Sequence, residues 1–164
     1  MNLVTLQRIT TLYVEDEDRM QIAGEGGDQS VQTLWLSHRL LDRLVLKLVS
    51  WLAMQHDSVQ ADVLQSFAQE AALQSMTPQP AVNTGFAVAT WLVKSIDVTT
   101  SPNVIRLTFK DHVHEVQLVM QSQFLRQWLI ILRTQYQVAG WDVQAWPEWL
   151  AAPHKVAPDQ ALWH

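Results

Sequence analysis

The apolar positions of the chain change their spacing several times, and each change marks an element. From Leu6 to Val14 the chain mixes Ile, Leu, Tyr, Val and Thr and ends at the acidic run Glu15 to Asp18, which reads as a strand and a turn. Met20 and Ile22 share one side of a second strand, Arg19 to Gly24, and Gly26-Gly27-Asp28 supplies the permissive backbone of a hairpin loop. Val31 to Leu36 is a third strand. After Ser37 the period becomes helical: Leu40, Leu41, Leu44, Leu48, Trp51 and Leu52 recur at three and four, with Arg39, Arg43 and Lys47 opposite. This helix runs to about His56, and Ser37 is its expected cap.

Asp57 or Ser58 can cap a second helix whose apolar stripe is Val59, Val63, Phe67 and Ala71. Met76 to Gly85, with Pro78, Pro80 and Asn83, is a connector. Beyond it, Phe86 to Val98 reads as a strand, Ser101-Pro102-Asn103 as a turn and Val104 to Phe109 as a strand. Lys110-Asp111-His112 reads as a tight hairpin, with Val113 to Met120 as its partner. Gln121 or Ser122 opens a third helix carrying Phe124, Leu125, Trp128, Leu129, Leu132 and Tyr136, and Gly140 should end it.

This order predicts an α+β fold of about six mostly antiparallel strands, as a sheet or open barrel, packed by three helices. Shifted by 84 positions, Leu34, Leu36, Leu40, Leu41, Leu44, Val45 and Leu48 fall on Leu118, Met120, Phe124, Leu125, Trp128, Leu129 and Leu132. The match suggests duplicated strand-strand-strand-helix units, although any strand entering an amphipathic helix produces part of it. The expected organisation is one domain over 1–150, with repeat halves 5–56 and 86–140, and a Pro-containing tail over 151–164.

With 164 residues, 48% hydrophobic, the chain is long enough to fold on one apolar core. The absence of Cys removes disulfides, thiolate metal sites and cysteine nucleophiles. Met1 to Val14 has no basic stretch followed by a continuous apolar one, and no apolar run is long enough to span a bilayer. A cytoplasmic protein with no membrane partner is the expectation. The formal net charge of -5 disfavours nucleic acid, and Arg39, Arg43 and Lys47 read as a solvated helix face.

Chemistry-bearing groups are sparse. His112 and His114, beside Glu115, sit two apart at a hairpin, but two ligands do not make a metal site. Ser37, His38 and Asp42 contain the residue types of a hydrolase triad, yet helical neighbours point apart and no elbow presents the serine. The acidic run lacks the alternating ligands and glycine of a calcium loop. Gly24, Gly26 and Gly27 lack a following Lys-Ser/Thr for a phosphate cradle. No catalytic residue, metal or cofactor is implied.

The eight Trp residues are the most unusual feature of the composition. Trp35, Trp51, Trp91 and Trp128 fall inside predicted elements and read as core. Trp141, Trp146 and Trp149, with Pro147, form a segment suited either to docking on a partner or to wrapping over the domain's own helices. The run Trp128 to Leu132, including Ile130 and Ile131, is more apolar than one stripe needs, and Leu44 to Val49 is similar around Lys47. Something should cover the surplus: the second helix, the tail or a second subunit.

The segments Glu17-Asp18-Arg19-Met20 and Leu34-Trp35-Leu36-Ser37-His38-Arg39-Leu40, with Trp141 and Trp146-Pro147-Glu148-Trp149, resemble a small family of uncharacterised bacterial proteins with no assigned function. The element order is also similar to the head domains of some eukaryotic DNA-end-joining and centriole scaffold proteins, which dimerise through a following helix. That is a likeness of order, and fold does not transfer function. The expected function is a non-catalytic protein-interaction or scaffold module, a homodimer using Trp141, Trp146, Trp149, Ile130 and Ile131. The alternative is an enzyme or small-ligand binder whose site is not visible in sequence.

Overall fold

The computed structural model describes residues 3–56, 60–151 and 161–163, the last three as backbone. The expected caps Asp57 and Ser58, together with Val59 and the tail over 152–160, lie outside the described residues.

The chain is mixed α/β, with one curled sheet and three helices. Strands β1 (Val4–Val14), β2 (Arg19–Gly26) and β3 (Val31–Leu36) form an antiparallel meander followed by helix α1 (His38–Ala53). Helix α2 (Ala61–Gln74) follows. The chain then runs through β4 (Ala87–Leu92), β5 (Ser95–Thr100), β6 (Ile105–Lys110) and β7 (Glu115–Met120) into helix α3 (Ser122–Ala139). A short strand β8 (Ala161–Trp163) pairs with Arg8 to Thr10 of β1.

The strand order is β4-β3-β2-β1-β7-β6-β5. Its two ends are consecutive in the chain. The Val93 N–H donates to Trp35 O beside β3, and the next residue, Lys94, donates its N–H to Lys110 O beside β6. One bent segment therefore closes the curl. The sequence reading of six mostly antiparallel strands needs two adjustments: the expected strand over Phe86 to Val98 divides at Val93–Lys94, and the joins β1–β7 and β3–β4 are parallel. The four remaining joins along this order are antiparallel.

Inside the curl, Leu6, Ile9, Met20, Ile22, Leu34 and Leu36 meet Ile105, Leu107, Phe109, Val116 and Leu118 in one core with the inner faces of α1 and α3. Ser37 caps α1 by accepting the Leu40 N–H on its hydroxyl, as its position predicts. Gly140 ends α3 at φ 72, the left-handed geometry that favours glycine.

Three local expectations are corrected. In the loop after β2 the left-handed residue is Gln29, at φ 65, and neither Gly26 nor Gly27 has a positive φ. Close approach explains Gly24 in β2, where a Cβ would stand 2.7 Å from the Leu6 side chain. The second hairpin sits slightly later than expected, at Asp111 to His114, because the Asp111 carboxylate accepts the Val113 and His114 N–H groups. The third correction concerns α2. Its predicted stripe faces outward, with Val63 53% and Phe67 64% exposed, while Gln65, Gln69 and Ala72 are buried.

Candidate functional site

The reversal of α2 follows from what lies beneath it. Arg126 of α3 is buried and donates to Gln65 Oε1 and Gln69 Oε1. The same two glutamines donate to Leu52 O and Arg126 O. Gln127 of α3 adds a bond to Ala72 O. A buried guanidinium needs acceptors, so the polar edge of α2 turns inward and Val63, Leu64 and Phe67 turn out. Burial lowers the Arg126 pKa to about 10, and the Trp149 ring lies 5.3 Å from its guanidinium carbon.

The expected interaction residues are placed differently from one another. Ile130, Ile131 and Trp146 are buried within the chain itself. Trp141 and Trp149 are half-buried and pack against the core. The segment after Gly140 folds back, with a short 3-10 turn at Glu148–Leu150 that buries Leu150 and touches α2 and α3. Together with α2, this segment covers α3 from within the chain. Trp51, Trp91 and Trp128 are core, and Trp35 is half-buried.

Helix α1 keeps apolar surface on its outside, where Leu46 is 59% and Met54 68% exposed. Its two flanks differ in charge. Toward the folded-back segment there is a cavity of about 280 Å³, with His38, Asp42 and Asp142 at its polar side and Val45, Val49 and Trp146 among its apolar walls. His38 Nε2 lies 3.3 Å from Asp42 Oδ2, and the His38 ring stacks on Trp141 at 4.1 Å. The Tyr136 hydroxyl donates to Asp42 Oδ1 at 2.8 Å. Burial, and then this bond, push the Tyr136 phenol well above its ordinary range. Ser37 Oγ is committed to the helix cap, so His38 and Asp42 meet without an adjacent serine nucleophile.

Toward β5 the flank is a long groove. Its first stretch, about 480 Å³, has Leu40, Leu44, Leu46, Ile96 and Val98 as floor and Arg43, Lys47 and Lys94 as rim. A second stretch, about 350 Å³, continues along Leu46, Trp51 and Val98 to Met54 and Thr100. Among the described residues, no Asp or Glu lines either stretch. From Leu40 to Met54 the groove follows α1 for about 20 Å. The sequence shows Arg43 and Lys47 as a charged helix face, but not that Ile96 and Val98 of β5 complete an apolar floor beside them.

His112 and His114 do not converge. His112 is exposed, whereas His114 stacks on Trp91 at 5.1 Å and places Nδ1 3.0 Å from Asp111 Oδ2. The described residues hold no group of three or more His, Asp or Glu arranged for a metal ion. Glu15 to Asp18 form a turn in which the Tyr13 hydroxyl donates to Asp18 Oδ1 at 2.7 Å. No helix among the described residues is long and apolar enough to cross a membrane. Comparison with known protein families, curated proteins and solved structures finds no match.

Proposed function

We propose that the protein is a non-catalytic interaction module that works as a homo-oligomeric scaffold in the cytoplasm. The observation that carries this reading is the outward apolar face of α2, which its buried glutamines hold in place. Val63, Leu64 and Phe67 stay 53%, 38% and 64% exposed, and burying the rest of such side chains is worth part of the about 1.5–3 kcal/mol that full burial gives each. The exposed Leu46 of α1 and Met54 at its C-cap support the same reading. Light scattering across a concentration series tests it: mass should rise above that of one chain by high micromolar concentration, and a constant monomer mass overturns it.

A small-ligand site is the second reading, favoured by the cavity beside His38. Two carboxylates, Asp42 and Asp142, next to apolar walls suit an organic cation with an apolar body.

The architecture also supports descent from a duplicated strand-strand-strand-helix unit. The 84-residue offset carries Val31–Leu36 onto Glu115–Met120 and the first residue of α1, His38, onto Ser122 of α3. Leu41, Leu44 and Leu48 are buried, as are Leu125, Trp128 and Leu132 at the matching positions. Each half's first strand lies parallel to the other half's last, with the bent β4–β5 segment standing where the first half has one strand.

A further inference from the structure

We propose that the occupant of the α1–β5 groove is helix α2 of a second copy of this chain. This rests on the homo-oligomer reading and adds the mode of contact. Three properties of the two surfaces agree. The first is charge: Arg43, Lys47 and Lys94 rim the groove with no lining carboxylate, while α2 carries Asp62 and Glu70 and no Lys or Arg. Opposed patches of this kind fix orientation and exclude like-charged pairings, even in a chain of net charge -5.

The second is length. The 14 residues of α2 span about 20 Å, matching the groove from Leu40 to Met54. The third is pattern. Val63, Phe67 and Ala71 repeat at four-residue steps on the exposed face, the spacing by which an amphipathic helix lays anchors into an apolar groove. Glu70 lies on the same face, within reach of the cationic rim. The polar side of α2 stays committed to Arg126, so docking requires no rearrangement of the donor copy.

The contact joins unlike surfaces. Made twice about a two-fold axis it closes a dimer, and made once per copy it builds a chain. Two variants separate its sides. Val63→Gln with Phe67→Gln removes the anchors at exposed positions and leaves the groove intact; Lys47→Glu with Lys94→Glu reverses the rim and leaves α2 intact.

Sedimentation velocity on the full chain reads the result, with melting curves showing that both variants remain folded. Each variant alone should associate at least tenfold more weakly than the unmodified chain. An equimolar mixture should form a one-to-one complex, because one variant keeps a working groove and the other a working α2. If the unmodified chain associates but the mixture associates no more tightly than either variant alone, the α2-to-groove contact is wrong and the homo-oligomer stands on another surface. A monomeric unmodified chain at high micromolar concentration overturns both.

Discussion

Asp111 shows how one side chain sets a turn. Its carboxylate accepts the backbone N–H groups of Val113 and His114 and faces His114 Nδ1. Burial works against the charged form, but the His114 and Val113 hydrogen bonds outweigh it and hold the carboxyl at about 2, below its ordinary 3.8. A carboxyl lowered in the folded state stabilises the fold above the unfolded pKa and ceases to do so as pH falls through the folded one. Asp111→Asn imitates the protonated acid. It should therefore melt below the unmodified chain at neutral pH, with the difference closing between about pH 4 and pH 2. A gap that persists at pH 2 would mean that charge is not what the turn uses.

Arg126 acts on a larger scale from the same kind of chemistry. An isolated buried guanidinium is costly, and here it is met by two glutamine oxygens and an aromatic face instead of a carboxylate. The arrangement fixes which side of α2 faces inward.

At the scale of elements, the segment after α3 is part of the core. Trp146 is buried, Leu150 is fully so, and Trp146 meets Tyr136 edge-on with ring centroids 5.1 Å apart. A chain ending at Gly140 loses these contacts and uncovers the outer side of α3. At about 1.5–3 kcal/mol for each fully buried large apolar side chain, removing Trp146 and Leu150 takes away a sizeable part of a typical domain's stability. Urea unfolding should show a loss of at least about 3 kcal/mol, or no folded baseline. A truncated chain as stable as the full one would show that the segment only rests on the surface.

Helix α2 contrasts with that segment. Its inward face is held by the hydrogen bonds of Gln65 and Gln69 to Leu52 O, Arg126 O and the Arg126 guanidinium, while Val63 and Phe67 stay more than half exposed. The two elements thus differ in how they pack: the segment after α3 buries Trp146 and Leu150, while α2 leaves Val63 and Phe67 largely exposed.

For the whole molecule, closure of the curl ties the halves together. The first strand of each half takes a parallel partner from the other, at β1–β7 and β3–β4, and α2, which lies between the halves in sequence, packs on α3. Cutting the connector between Met76 and Phe86 should give two fragments that do not unfold cooperatively alone, since each keeps exposed strand edges and half a core. Mixed, they should associate one to one and regain a cooperative melt. A fragment that folds alone as a monomer would contradict this dependence.

Local periodicity determined much of this architecture. The strand-to-helix change at Ser37, the second such change near Gln121 and the stop at Gly140 all come from residues within a few positions of each other, where side-chain spacing and capping act directly. Tertiary structure decided the rest. The parallel joins, the closing bend at Val93–Lys94, the meeting of His38, Asp42 and Tyr136, and the cationic groove between α1 and β5 depend on residues tens of positions apart. Helix α2 is the clearest case: its own sequence selects Val63 and Phe67 for the interior, and the hydrogen-bonding demand of Arg126, about sixty residues away, turns that face to solvent, because an unsatisfied buried guanidinium costs more than a few exposed apolar side chains.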